Sequence, residues 1–221
     1  MLNIEKFLLL TVPHRSRITE VDSLFVAART ALTLIEFERT STVSFAPADA
    51  TKSWDLSNPL IRVDKHHTPA AVGLNDVFKN IDKFHNKRVS AALGNKKLDP
   101  LKGLLEEFAR QGILTGSSKD YRLVATDALA TLQDDLGLAL RGQRSVEQQD
   151  RILLEVIEAI NASKLLLGSQ QPDWSMSQFS EHVHRNPSGH PVVEQLVRST
   201  SSMTGLMEKS KMATLSAPSP V

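Results

Sequence analysis

A chain of 221 residues with 41% hydrophobic content suits one domain of about 200 residues or two small ones, and one domain is the simpler reading. With no cysteine, disulfides, thiol catalysis and zinc sites built on thiolates are excluded. A formal net charge of +1 argues for no partner by itself, and with neither an 18-residue apolar run nor a basic stretch ahead of an apolar leader core, no membrane span and no secretory leader are expected.

Residues 3–10, NIEKFLLL, predict a short buried first element, followed by the polar turn Pro13-His14-Arg15-Ser16-Arg17. From Val21 to Phe37 the apolar positions Val21, Leu24, Phe25, Ala28, Leu32 and Ile35 recur at helical spacing over a wide face, with Thr19 placed to cap the helix. Arg29 is the one charge in its middle, and it reads either as a solvated side chain or as an anion contact at the rim of a site. Thr40 to Phe45 is rich in strand formers. Ala46 to Pro59 reads as a polar loop whose Trp54 either tucks against the core or inserts at a membrane interface. After Leu60 to Val63 and a loop through Lys65 to Pro69, Gly73 to Phe84 predicts a helix with Leu74, Val77, Phe78 and Ile81 inward.

Charge is unevenly distributed. Lys79, Lys83, Lys87, Arg88, Lys96, Lys97 and Lys102 face only Asp82 and Asp99 in the same stretch, a local excess of five positive charges. Such a cluster is either a solvated face or a surface for phosphates.

The clearest punctuation runs from Asp99 to Leu129. Asp99 and Pro100 open a helix in which Leu101, Leu104, Leu105 and Phe108 recur at spacings of 3 and 4, and Gly112 ends it. Ile113-Leu114 and Tyr121-Leu123-Val124 flank the turn-forming run Gly116 to Asp120, which predicts a β-hairpin. A two-stranded ribbon is marginal alone in water, so it must lean on neighbouring helices or pair with another chain. Thr126-Asp127 starts a further helix with Leu129, Leu132 and Leu136 apolar, and Arg141 to Arg144 reads as a linker. Ser145 is placed to cap a strong amphipathic helix carrying Ile152, Leu153, Val156, Ile157 and Ile160 and prolonged by Leu165 to Leu167 up to Gly168. Pro172, Pro187 and Pro191 argue against long helices between Gln170 and Pro191, and Val192 to Arg198 is a last helical patch. The resulting fold class is mainly α, a single-domain helical bundle over residues 1–198 with a short hairpin, followed by a mobile tail over 199–221.

Little in the sequence points to catalysis. His66-His67 and His182-x-His184 lack carboxylates at metal-site spacing, and the glycine-rich phosphate loops and the G-x-S-x-G elbow do not occur. In Glu106-Glu107 and Asp134-Asp135, neighbouring helical residues diverge by about 100°, which suits solvated faces better than an acid–base or metal pair. No enzyme activity, catalytic residue, metal or cofactor is expected.

Three blocks, taken in order, resemble the Golgi phosphoprotein 3 family of peripheral membrane proteins and their bacterial relatives. They are EKFLLLTVPHRSRITEVDSLFVAARTALTLIEF (Glu5 to Phe37), LLEEFARQGILTGSSKDYRLVATDAL (Leu104 to Leu129) and EQQDRILLEVIEAINASKLL (Glu147 to Leu166). The likeness spans roughly residues 3–167. It implies a helical domain whose hairpin, with Ile113, Leu114, Tyr121 and Leu123, contributes to self-association into a homo-oligomer. It also implies recognition of phosphatidylinositol 4-phosphate at a basic pocket formed in Golgi members by a tryptophan and three arginines. Here the tryptophan position falls on Val21, the first arginine on Thr30 beside Arg29, and the other two near Leu98 and Leu101, flanked by Lys97 and Lys102. The chain thus reads as a divergent member.

The resulting expectation is a peripheral protein that binds phosphatidylinositol 4-phosphate or another anionic lipid headgroup through Arg15, Arg17, Arg29, Lys96, Lys97 and Lys102. Its expected place is the cytoplasm, on the cytosolic face of a membrane, the Golgi in a eukaryote. Two other classes fit less of the sequence. One is a non-lipid-binding adaptor that self-associates through the hairpin. The other is a winged-helix-like nucleic-acid binder, for which the helix after Pro100 offers only Lys102, Arg110 and Gln111 against Glu106-Glu107, so nucleic acid is not an expected partner.

Overall fold

The computed structural model describes residues 1–14, 22–48, 57–64, 66, 71–116, 120–168 and 174–201. The architecture is mainly α, with α1 (Asn3–Thr11), α2 (Ser23–Arg39), α3 (Asn75–Asn80), α4 (Val89–Ala92) and α5 (Leu101–Arg110) ahead of the hairpin. After it come α6 (Thr126–Leu140), α7 (Gln148–Ala159), α8 (Ser163–Leu167), α9 (Met176–His184) and α10 (191–201). Among the described residues no helix is long and apolar enough to cross a membrane.

The first element is buried, as its run of leucines predicts. Ile4, Phe7, Leu8, Leu9 and Leu10 are all enclosed, and a helix apolar on every side has to be surrounded by others. α1 accordingly packs against α2, α5, α6, α7 and α8. Its polar residues are tied rather than exposed: the Asn3 side-chain amide donates to the Gln149 carbonyl at 2.7 Å, and Lys6 Nζ lies 2.8 Å from Asp150 Oδ1.

Two antiparallel ribbons sit on this bundle. β1 (Val43–Ala46) pairs with β2 (Leu60–Val63), Val43 opposite Val63, and β3 (Leu114–Thr115) pairs with β4 (Arg122–Leu123), Leu114 opposite Leu123. Gly112, at φ +73°, ends α5 in a Schellman turn: its N–H donates to the Ala109 carbonyl and the Ile113 N–H to the Phe108 carbonyl.

Several boundaries differ from the sequence reading. α2 is capped by Asp22, whose carboxylate accepts from the Leu24 N–H at 3.0 Å; Thr19 and Val21 lie outside the described residues, as does Trp54. The helix expected over Gly73 to Phe84 is three pieces, with 3₁₀ turns at Val72–Leu74 and Ile81–Phe84 on either side of α3. The first of these turns presses on α5 so closely that a Cβ on Gly103 would stand 2.3 Å from the Gly73 carbonyl oxygen. Only a glycine-on-glycine crossing fits there.

The long helix expected from Ser145 to Gly168 is also divided. α7 starts at Gln148 with no side-chain cap, so Ser145 does not play that part. It ends at Asn161, a left-handed residue at φ +57°, where the Asn161 and Ala162 N–H groups close a Schellman turn on the Glu158 and Ile157 carbonyls. Conversely, α9 forms where prolines argued against long helices. Its nine residues fit ahead of Pro187, and Ser175 and Gln178 build a reciprocal capping box. The domain boundary expected after residue 198 falls inside α10, where the buried Thr200 hydroxyl donates to the Leu196 carbonyl at 3.0 Å; residues 202–221 lie outside the described residues.

Candidate anion-binding face

The polypeptide between α4 and α5 carries two of the expected lipid-binding residues, and the first turn of α5 a third. Asn95 opens a one-turn 3₁₀ helix, Lys96–Leu98, by accepting the Lys97 N–H on its side chain at 3.0 Å. Leu98 is fully buried and fixes the turn to the core, so the two lysines ahead of it point away from it and are exposed. Asp99 then leaves the turn in extended conformation and accepts the Leu101 N–H at 3.1 Å, opening α5 as the sequence predicts. Lys102, in the first turn of α5, is exposed as well.

Arg29 does not share this exposure. Its Nε and Nη2 each lie 2.7 Å from an Asp99 carboxylate oxygen, a bidentate pair joining the middle of α2 to the start of α5. The Arg29 side chain is only 3% exposed and that of Asp99 11%. A guanidinium fork filled by a carboxylate in a dry site has no face left for a second anion. Arg29 is therefore neither the solvated residue nor the rim contact that the sequence suggests, but half of a buried clamp. The other half went unrecognised because Asp99 was legible only as a helix cap.

Lys96 and Lys97 have no acidic partner among the described residues, and Lys102 Nζ lies 3.9 Å from Glu106, a loose contact between exposed groups. α3 packs against the 96–98 turn. Its Asp76 has a carboxyl held below the ordinary range, first by a hydrogen bond from Lys79 and more weakly by the charge of Lys102. The charge of Lys102 thus reaches α3, the helix that also packs against the turn carrying Lys96 and Lys97. Lysine ammonium groups are compact, mobile charges, suited to attracting an anionic surface and poorly suited to choosing between headgroups.

Arg15 and Arg17 lie outside the described residues. Of the positions to which the resemblance assigns pocket arginines, Thr30 and Leu98 are fully buried and Leu101 half-buried, so none presents a polar group to solvent. Of the hairpin residues, Leu114 is buried and Ile113, Tyr121 and Leu123 are half-buried against the chain's own core, while the neighbouring Val124 is exposed. The ribbon leans on its own bundle, and β4 touches the turn at Val12–His14.

A second basic cluster lies apart from the lysines. Arg144, in the stretch that reads as a linker, Arg151 on α7 and Arg185 after α9 converge with His182 around a cavity. Nothing in their spacing announces this, because the proline-bearing stretch that forms α9 reads as loop. Comparison with protein-family models, with curated proteins and with solved structures returned no match.

Proposed function

We propose that the chain is a peripheral membrane protein, a divergent relative of the Golgi phosphoprotein 3 family. In this reading Lys96, Lys97 and Lys102 hold it on the cytosolic face of an anionic bilayer. The observation that carries the proposal is the exposure of these three lysines within seven residues of chain, two of them without an acidic partner among the described residues. Each cation at an anionic surface contributes about 1 kcal/mol. Three together give about 3 kcal/mol, somewhat more than a hundredfold in partitioning, which suits reversible attachment. With Arg29 bound to Asp99, the attachment rests on lysine charge, and it weakens as salt shortens the screening length.

The test is flotation of the full chain with vesicles containing phosphatidylinositol 4-phosphate, beside vesicles of equal charge made with phosphatidylserine, at about 0.15 M salt. Flotation with both is expected, and the triple variant Lys96→Ala, Lys97→Ala, Lys102→Ala should lose at least tenfold. A wild-type chain that stays in the lower fraction, or a triple variant that floats as well as the wild type, overturns the reading.

A further inference from the structure

The cavity framed by Arg144, Arg151, Arg185 and His182 is separate from the lysine face: it lies where the end of α6, the start of α7 and the end of α9 meet. It holds about 210 Å³, and no carboxylate among the described residues lines it. Ala139, Leu154 and Val183 supply an apolar wall. A volume below the roughly 300–1,000 Å³ of drug-sized sites suits a small group rather than a whole nucleotide.

The charge around it does not balance. Asp150, buried on α7, is bound by both Arg144 and Lys6, so one positive charge is left over from that trio. Among the described residues Arg151 makes a long contact, 3.5 Å, to the Val146 carbonyl and has no acidic partner, and Arg185 has none either. The C-terminal ends of α6 and α9 come to the same place and each offers roughly half a negative charge from its free carbonyls. That offsets about one of the three surplus cations and leaves about two. A dianion would match them.

Arg144, whose side chain is 31% exposed, is anchored by its Nη2 on Asp150, so its guanidinium is held in place at the cavity wall. We propose that this cavity binds a phosphate monoester dianion, with Arg144, Arg151 and Arg185 as the charge partners and the apolar wall against the small organic group that carries the phosphate. Arginine suits this task because its planar fork meets tetrahedral oxyanions with paired hydrogen bonds. The His182 ring, whose pKa is held below its ordinary value first by burial and then by the Arg185 charge, reports on the site. Trp174 lies against that ring, tilted by 40° with centroids 4.8 Å apart.

The phosphate could come from a soluble ester or from a lipid headgroup, and the experiment separates the two. Full-length protein is titrated with glycerol 3-phosphate and with inorganic phosphate at constant ionic strength, read by calorimetry and by the His182 ring resonances. Saturable binding of glycerol 3-phosphate at one site per chain is expected, together with a rise in the His182 pKa. Arg151→Gln and Arg185→Gln, at partly or fully exposed positions that leave the Asp150 contacts in place, should each weaken binding at least tenfold. Binding that does not saturate, a His182 pKa that stays put, or affinity unchanged in both variants overturns the proposal. Vesicles bearing phosphatidylinositol 4-phosphate that displace the soluble ester identify a lipid source; vesicles that do not displace it identify a soluble one. The titration itself contains no membrane, so its outcome is independent of the lysine face.

Discussion

Arg29 and Arg185 are the same residue type with opposite fates. Arg29 is enclosed between α2 and α5 with its fork filled by Asp99, whereas Arg185 is exposed beside a cavity, with no acid to meet it among the described residues. Burial with a bidentate partner makes the first a structural clamp, and the absence of a partner leaves the second available for a ligand. What separates them is the neighbour, not the chemistry of the side chain. A count of basic residues along the sequence therefore overstates how many can act on an anion.

The largest test of that contrast is to remove one member of each region. Arg29→Ala leaves Asp99 as an uncompensated, largely buried carboxylate, and Asp99→Ala leaves Arg29 likewise; either should cost about 3–5 kcal/mol in urea unfolding. Replacing both, as Arg29→Met with Asp99→Leu, should recover most of the loss, because a buried pair is worth little against an apolar filling. Arg185→Gln should fall within about 0.5 kcal/mol of the wild type, as exposed substitutions do. If Arg29→Ala costs no more than Arg185→Gln, burial and pairing do not distinguish the two arginines.

A smaller effect is expected at the backbone crossing that holds the clamp's helices in place. Gly103→Ala would gain helix propensity, about 1 kcal/mol, at an interior position of α5. Yet its Cβ would stand 2.3 Å from the Gly73 carbonyl oxygen, backbone that cannot yield by rotating a side chain. Overpacking of this kind costs about 1–3 kcal/mol, so the net change should be a destabilisation of up to roughly 2 kcal/mol, measured by thermal or urea unfolding. A stabilised Gly103→Ala variant would mean that the 72–74 turn moves away freely and that α5 is not anchored there.

Much of the fold was legible because its cues are local. The leucine run of α1, the 3 and 4 spacing in α5, Gly112 as a stop and the turn formers of the hairpin each announce themselves within about ten residues. What was lost depended on distant partners or on single-residue backbone changes. Asp99 reads as a cap, and its carboxylate does accept the Leu101 N–H although the N-cap itself is Pro100, but its tie to Arg29 joins residues 70 apart. Asn161 ends α7 by adopting a left-handed conformation that asparagine tolerates without requiring, so an apolar pattern continuing to Leu167 reads as one helix. At the arginine cavity the decisive residue, Arg185, is carried there by α9, a helix whose Ser175 and Gln178 capping pair was hidden among residues that otherwise look like loop. The exposed lysines were the readable part of the candidate site; the engaged arginine and the cavity were not.

The smallest effect separates the two regions by pH. The pKa of His182 lies below its ordinary 6.5, through burial first and the Arg185 charge second. The unfolded chain therefore takes up the proton before the folded one does. The stability this site contributes is complete above about pH 6.5 and is lost as pH falls through the depressed folded value. Asp76 and Glu107, held low by hydrogen bonds from Lys79 and Arg110, begin to lose their contributions only as pH falls toward the carboxylate range, below the pH at which the His182 loss begins. Unfolding measured at pH 7.5 and at pH 5 should thus show a smaller drop in His182→Gln than in the wild type, while the clamp, with no histidine in it, contributes nothing to that difference. Replacing Arg185 with Gln in the wild-type background should shrink the drop in the same direction by removing the nearby charge. An identical drop in all three proteins would show that His182 does not feel the arginines, and would leave the cavity without the electrostatic character that sets it apart from the clamp.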